Sequence, residues 1–244
     1  MERLLNIKEA AEYLNVSEMT VRRWTNKGLL NCYRVGNRRA RRFRIQDLMA
    51  CLEVNPANPA SVMVALGIDG VTVPADAHLT HLSSGENEDL EIAAAYILQG
   101  LRGQEAVYVV VPGDKADPLM NALHRKDPTI LGSITAGRLH FSQGMDSPEL
   151  QRTYLADLAS RSNGRFRVFG DMTWTREKRW RTEDLYRLEA SMHQAEDIEG
   201  GLFLCQYALD RFTGKEIMMA LETHSHNLYR GRIHPNPYGY QLSQ

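Results

Sequence analysis

Short β-rich segments alternate with amphipathic helical segments from His78 onward, and this alternation constrains the fold more than any other feature. The β-rich segments lie at 78–83, 106–111, 138–142, 165–170 and 201–207. The helical segments between them lie at 88–102, 147–164, 183–196 and 215–223. Because strands that alternate with helices form parallel sheets covered by helices, the sequence predicts an α/β domain.

The turn after the first of these strands resembles the nucleotide-binding position of RecA and KaiC proteins but lacks a phosphate loop. Such a loop needs glycines and a Lys-Ser/Thr pair, whereas residues 84–89 read Ser-Gly-Glu-Asn-Glu-Asp. Carboxylates at Glu86, Glu88 and Asp89 would repel a triphosphate. The sequence therefore predicts a RecA/KaiC-like parallel sheet without a functional P-loop, and we expect no nucleotide or other cofactor.

Three motifs in this domain resemble a known family. His78-Leu79-Thr80-His81 precedes the acidic turn, Gly170-Asp171-Met172-Thr173-Trp174 follows a predicted strand, and Leu204-Cys205-Gln206-Tyr207 lies within another. They are similar to motifs of the sensory domain called MEDS, named in part for methanogens and methylotrophs. The resemblance implies that residues 76–244 sense a small hydrocarbon or one-carbon derivative. It places His78, Asp171, Trp174, Cys205 and Tyr207 on motif positions.

Each candidate ligand residue also has a plain structural interpretation. His78 and His81 point to opposite faces of a straight strand, so either is a hydrogen-bonded core histidine or a ligand contact. Cys205 is a small core residue or a ligand-contacting thiol, and Asp171 lines a pocket or caps a turn. Because ligands of parallel sheets bind beyond the carboxyl ends of the strands, we expect one apolar pocket there. Its predicted residues are His78, His81, Asp171, Trp174, Cys205 and Tyr207.

The histidines near the end of the chain, His224, His226 and His234, suggest a metal site. No cysteine or carboxylate lies near them at ligand spacing, however. We therefore predict no metal site from the sequence.

The first part of the chain contains two short predicted helices joined by a tight turn. Asn6 to Glu9 has the spacing of a capping box, and Ser17 and Gly28 suit the start and end of the second helix. Val21 and Trp24 face a core in this arrangement, and the opposite face is basic. Such a pair is typical of a helix-turn-helix whose second helix enters the major groove. The predicted DNA contacts on this helix are Ser17, Met19, Thr20, Arg22, Arg23 and Asn26.

An arginine-rich hairpin follows these helices. Segments 32–35 and 43–45 are predicted strands around the Gly36-Asn37 turn, and the connection between them carries four arginines. Arginines on such a wing reach phosphates or the minor groove. The predicted DNA contacts here are Arg38, Arg39, Arg41 and Arg42.

The run from Leu5 to Leu52 is similar to the winged helix-turn-helix of the MerR and excisionase group. The motifs that carry this resemblance are the Ile7–Ser17 and Thr20–Trp24 segments and the arginine hairpin. It implies binding to a double-stranded DNA operator, and we assign residues 1–53 to this domain. The prolines that follow make 54–75 a linker or hairpin, which belongs to either domain.

Charge and cysteine usage fit this division. The net charge is −1, but residues 1–53 hold 11 Lys and Arg against 6 Asp and Glu, and the remainder holds 18 against 24. The basic end is therefore the end that DNA attracts. Three scattered cysteines indicate a reducing, cytoplasmic setting, and no apolar run is long enough to span a membrane.

Two functional classes remain. The first is a transcriptional regulator, most simply a repressor, that binds an operator and a small-molecule effector. The second is an enzyme of RecA-like descent that the helix-turn-helix targets to DNA. The absence of a phosphate loop and of a nucleophile–base motif favours the regulator. A single short recognition helix covers few base pairs, so we expect a homodimer.

Overall fold

A computed structural model describes residues 4–14, 16–26, 30–35, 40–54, 62–162, 165–192, 198 and 200–235. The chain divides into two compact units, Met1–Ser61 and Val62–Gln244. The boundary falls within the 54–75 segment, and the hairpin in the second part of that segment belongs to the second unit.

The first unit contains α1 (Ile7–Leu14), α2 (Glu18–Asn26), β1 (Tyr33–Val35), β2 (Ala40–Arg42) and α3 (Ile45–Val54). The predicted capping box is confirmed, because the Asn6 N–H donates to Glu9 Oε2 at 2.7 Å and Asn6 Oδ1 accepts from the Glu9 N–H at 3.1 Å. Both helices bury the expected side into one core. That core contains Ala10, Ala11, Leu14, Val21, Leu30, Phe43 and Leu48.

The second strand of the hairpin lies earlier than predicted. Ala40 pairs with Val35 and Arg42 with Tyr33, so Arg41 and Arg42 belong to a strand and not to its connection. Phe43, predicted to begin that strand, is fully buried and bridges to Leu5. The sequence prediction was wrong here because it took the apolar Phe43 as a strand residue, whereas Phe43 closes the core. The predicted turn at Gly36-Asn37 lies outside the described residues.

The second unit begins with the hairpin of β3 (Met63–Ala65) and β4 (Thr72–Pro74). The sheet strands are β5 (His78–Ser83), β6 (Ala106–Val110), β7 (Leu139–Ser142), β8 (Phe166–Asp171), β9 (Gly201–Ala208), β10 (His226–Tyr229) and β11 (Arg232–Pro235). The helices are α4 (Glu86–Arg102), α5 (Gly113–Lys126), α6 (Ile130–Thr135), α7 (Pro148–Arg161), α8 (Trp174–Glu177), α9 (Thr182–Met192) and α10 (Gly214–Thr223).

These strands form one sheet with the order β11-β10-β5-β9-β8-β6-β7. All neighbours are parallel except β10 and β11. The predicted α/β domain with a mostly parallel sheet is therefore confirmed. Because β5, β9, β8 and β6 are parallel neighbours, their carboxyl ends lie side by side at one edge of the sheet.

The two faces of this sheet carry separate cores. One face, with Leu79, Val109 and Leu204, packs against α4 and α5 and against the β3–β4 hairpin. The other face, with Val110, Val168 and Phe203, packs against α7 and α9. Because neighbouring strand residues point to opposite faces, each strand contributes to both cores.

Among the described residues, no helix is both long enough and apolar enough to cross a membrane.

Candidate functional site

The exposed face of α2 carries the side chains predicted to contact DNA. Ser17 caps the helix through its hydroxyl, which accepts from the Thr20 N–H at 3.1 Å. Met19 is 74% exposed, and the side chains of Arg22 and Arg23 are also exposed. Arg22 lies 3.8 Å from Glu18, one turn earlier, which is a weak surface pair. The side chain of Asn26 lies outside the described residues.

The two candidate arginines of the hairpin that the structure describes lie in a strand and not at the tip of a loop. Arg41 and Arg42 lie on β2 and are half-buried, and Arg42 Nη1 donates to the Arg41 carbonyl at 3.0 Å. Arg38 and Arg39 lie outside the described residues. The described part of the hairpin thus supplies cationic side chains to the same unit as α2.

The sheet divides the six predicted ligand residues between its two faces. His81 pairs in register with Gln206, and Gln206 with Asp171, so these side chains share the α4–α5 face. His78, Cys205 and Tyr207 occupy the alternate positions and point to the α7–α9 face. One pocket lined by all six residues does not form. The sequence analysis placed every candidate at the carboxyl edge of the sheet and did not assign the side chains to one face of the sheet or the other.

The α4–α5 face contains a charged cavity of about 270 Å³ at the carboxyl edge of the sheet. Asp171 lies in its wall and forms an ion pair of 2.7 Å with Lys115, while Asp171 Oδ1 accepts from the Thr173 N–H at 3.0 Å. Asp171 thus both lines a cavity and caps a turn. Burial raises the pKa of Asp89 in the same wall, because the charged form of this carboxyl is poorly solvated there. Charged and apolar residues share the wall of this cavity.

His81 lies beneath this cavity without lining it. Its Nδ1 is 3.2 Å from Gln206 Oε1, and burial lowers its pKa. It is therefore a neutral, hydrogen-bonded core histidine, which was one of its two interpretations.

The opposite face contains a smaller cavity of about 30 Å³ between the sheet and the α7 and α9 helices. Most of its wall is apolar, and its polar residues include His78, Glu189 and Cys205. Its apolar residues are Val110, Leu155, Val168, Met172, Trp174, Leu188, Met192 and Phe203. A cavity of this size holds a molecule of only a few heavy atoms.

Trp174 forms part of that wall and is also a core residue. It is 1% exposed and packs edge to face on Trp180, with ring centroids 4.8 Å apart. Gly144 lies against the indole, and a Cβ at that glycine would come within 2.2 Å of the ring. The position needs glycine both for this contact and for its φ of +77°. The indole is therefore rigidly held.

A buried polar cluster closes one end of the small cavity. His78 Nε2 lies 3.3 Å from Glu189 Oε2 and 3.5 Å from Cys205 Sγ, and His224 Nε2 lies 3.7 Å from the same carboxylate oxygen. Tyr207 donates its hydroxyl to Glu189 Oε1 at 2.5 Å. Burial raises the pKa values of the Cys205 thiol and of Tyr207.

Sequence reasoning missed Glu189 and treated His224 only as part of a histidine-rich tail. Both residues are distant in sequence from His78 and Cys205, and no fixed spacing connects the four. The available signal was indirect and applied to Glu189 alone: a polar residue at an inward position of a predicted helix, where an apolar one is expected.

Comparison with known proteins identifies both units. A helix-turn-helix domain model matches residues 4–55, and the MEDS model, described as the MEthanogen/methylotroph, DcmR Sensory domain, matches residues 77–225. The chain belongs to the MEDS family. Both resemblances recognised from the sequence are thereby confirmed at this level, and the MerR or excisionase subtype stays a prediction.

This MEDS protein is 30% identical over 240 residues to the transcriptional repressor DcmR of Methylorubrum extorquens. The alignment covers 91% of this chain and 90% of the relative. The alignment therefore extends over nearly the whole of both proteins.

Proposed function

We propose that this protein is a DNA-binding transcriptional repressor whose MEDS domain binds a small apolar effector in the cavity beside Trp174. The likeness to a repressor over 91% of the chain carries the first part of the proposal. The apolar wall and small volume of the cavity carry the second. A regulator of this kind is not an enzyme, and the alternative of a RecA-like enzyme predicts nucleotide hydrolysis that a phosphate-release assay would detect.

The DNA-binding half of the proposal rests on α2. Its inner side is fixed by Val21 in the core, so Arg22 and Arg23 are held on the outside of the unit. A guanidinium on a recognition helix reads guanine through two parallel hydrogen bonds, or binds a phosphate with no sequence preference. The two roles can be distinguished, because loss of a phosphate contact weakens binding to random DNA and loss of a base contact does not.

Replacing Arg23 with alanine is expected to weaken operator binding by about 1–3 kcal/mol and to leave binding to random DNA nearly unchanged, because a base contact is lost. Replacing Arg41 with alanine should weaken binding to both DNAs alike and reduce the salt dependence, because a phosphate contact is lost. Fluorescence anisotropy with a selected operator and a scrambled duplex, across a salt series, measures both effects.

Arg161→Ala is the matched control, because it removes an exposed arginine from the second unit. It should leave affinity for both DNAs unchanged. If Arg23→Ala weakened binding to the two duplexes equally, Arg23 would be a phosphate contact, and Arg22 would become the candidate base reader.

We also propose that the protein binds its operator as a homodimer. A single recognition helix reads too few base pairs for a specific site, whereas a dimer that binds two half-sites reads twice as many. Multi-angle light scattering of the protein with operator DNA tests the proposal, and one chain per operator would contradict it.

The choice between the two cavities follows from their walls. The wall of the charged cavity combines apolar residues with charged ones such as Asp89, Asp171 and Lys115, whereas the wall of the small cavity is mainly aliphatic and aromatic carbon. An apolar one-carbon compound gains free energy by leaving water for the second kind of wall. The effector changes DNA affinity only by its preference for one state of the protein, so the coupling should be about 1–3 kcal/mol.

Filling the small cavity is expected to abolish the effector response. Val110→Ile adds one methylene to its wall at a strand position whose backbone suits a β-branched residue. The added methylene should leave no space for the effector. Overpacking should lower the free energy of unfolding by about 1–3 kcal/mol at most. Release of labelled operator by dichloromethane, chloroform and methanol in sealed cuvettes measures the response.

Two variants serve as controls for this experiment. Val109→Ile adds the same methylene to the same strand on the opposite face, where Val109 is 1% exposed, and should keep the response. Ala93→Val fills part of the charged cavity instead and should also keep it. Loss of response in Ala93→Val with a normal response in Val110→Ile would move the effector to the charged cavity.

A further inference from the structure

The polar cluster at the end of the small cavity brings together four potential metal ligands from four separate elements. His78 begins β5, Glu189 lies in α9, Cys205 lies in β9 and His224 follows α10. One nitrogen, sulfur or carboxylate oxygen from each residue lies within 4.8 Å of all the others. Imidazole, thiolate and carboxylate groups together form the donor set that zinc prefers.

The spacing of these atoms matches a small coordination sphere. The separations from His78 Nε2 to Glu189 Oε2, from His78 Nε2 to Cys205 Sγ and from His224 Nε2 to Glu189 Oε2 are 3.3, 3.5 and 3.7 Å. Bonds of 2.0–2.3 Å to a tetrahedral zinc ion place neighbouring ligand atoms roughly 3.3–3.8 Å apart. Three of the six separations thus match those around a bound ion, and the others, all within 4.8 Å, need only small shifts of the side chains.

Groups around the cluster orient its members toward one point. His224 Nδ1 lies 2.7 Å from the Ala220 carbonyl, which only accepts, so Nδ1 carries the proton and Nε2 faces the cluster. Tyr207 donates to Glu189 Oε1, which leaves Oε2 directed at both imidazoles. Backbone and tyrosine partners of this kind hold ligating histidines and carboxylates in metal sites.

Burial makes the arrangement costly unless a positive charge occupies it. His78, Glu189 and His224 are 8%, 1% and 0% exposed, so bulk water does not screen the carboxylate. A proton on one imidazole would meet that need in part, and the contact of Cys205 Sγ with His78 Nε2 would then be a single weak hydrogen bond. A divalent ion would use all four donors.

We propose that His78, Glu189, Cys205 and His224 bind a zinc ion. With four protein ligands the site is closed and structural, and it ties the sheet to α9 and α10. Three of its ligands also line the small cavity, so the ion would fix one end of that wall. The zinc site does not depend on the proposed effector, because it rests on the cluster alone.

Metal analysis of the full chain tests the proposal. Tag-free protein purified without chelators should contain close to one zinc per chain by inductively coupled plasma mass spectrometry. Zinc-edge X-ray absorption of the same sample should report one sulfur among nitrogen and oxygen neighbours. Removal of the metal with a strong chelator should lower Tm, and added zinc should restore it, because the ion binds the native state.

Matched variants locate the site. In the cobalt-loaded protein, Cys205→Ser should lose the sulfur-to-cobalt charge-transfer band, whereas Cys32→Ser, a thiol in the other unit, should keep it. His224→Gln should lose most of the bound metal, whereas His81→Gln, a buried histidine on the opposite face, should keep it.

Zinc absent both from the purified chain and after dialysis against zinc would overturn the proposal. An absorption spectrum without sulfur would also overturn it, and this measurement needs no variant to fold.

Discussion

Replacing Trp174 with alanine is expected to lower the free energy of unfolding by about 3–5 kcal/mol, because a fully buried indole is removed from a packed core. Its neighbours are poorly able to close the gap. Trp180 is fixed in an edge-to-face contact with it, and the backbone at Gly144 lies directly against the ring. Urea unfolding followed by circular dichroism measures the change.

This expectation changes how the sensor must be tested. From the sequence, Trp174→Ala is the natural variant for removing an aromatic pocket wall. In the structure the same change would destabilise the whole unit, so a lost effector response would not identify the pocket. Leu150→Ala in the same unit is the control, because Leu150 is 56% exposed and should shift stability by only about 0.5 kcal/mol. A loss below about 1 kcal/mol for Trp174→Ala would show that the indole is not a core residue.

The sheet could be predicted from the sequence because buried parallel strands are continuous apolar runs. β6 and β9 are the clearest cases, and their observed bounds lie within a residue or so of the prediction. The α5 helix was missed because Gly113 begins it and Pro118 lies inside it, and both residues disfavour helices. β10 and β11 were missed because their short polar sequences carry no alternation.

The candidate site was predictable only in part. Motif resemblance identified His78, Trp174, Cys205 and Tyr207, and these lie around one cavity and its polar end. It could not separate them from Asp171, because assignment to a face depends on the exact register of β8 and β9. Glu189 lies in α9 and His224 follows α10, and no local sequence pattern predicts how these helices pack on the sheet.

A second large effect is expected at an ion pair on the α4–α5 face of the sheet. Arg167 of β8 is 2% exposed, and its guanidinium forms an ion pair with Glu105. Its Nη2 also donates to the Ala65 carbonyl at 2.8 Å, which ties the β3–β4 hairpin to the sheet. Gly100 makes room for the arginine, since a Cβ there would lie 2.8 Å from Arg167 Cδ.

Replacing Glu105 with alanine should therefore cost about 3–5 kcal/mol of unfolding free energy, because it leaves a buried guanidinium without its counter-charge. The Tyr96 ring, 5.1 Å from the guanidinium carbon, and the Ala65 carbonyl remain but carry no full negative charge. The matched control is Glu149→Ala, which breaks an exposed pair with Arg187 and should leave the urea midpoint unchanged within error.

The double variant Glu105→Leu with Arg167→Met separates the charge penalty from the contribution of packing. Removing both charges removes the desolvation cost of both, so the double variant should recover most of the stability that Glu105→Ala loses. Recovery would mean that the ion pair adds little net stability once both charges are absent. If the double variant were as unstable as Glu105→Ala, the bond from Arg167 to the Ala65 carbonyl would be the stabilising contact, and the hairpin would depend on it.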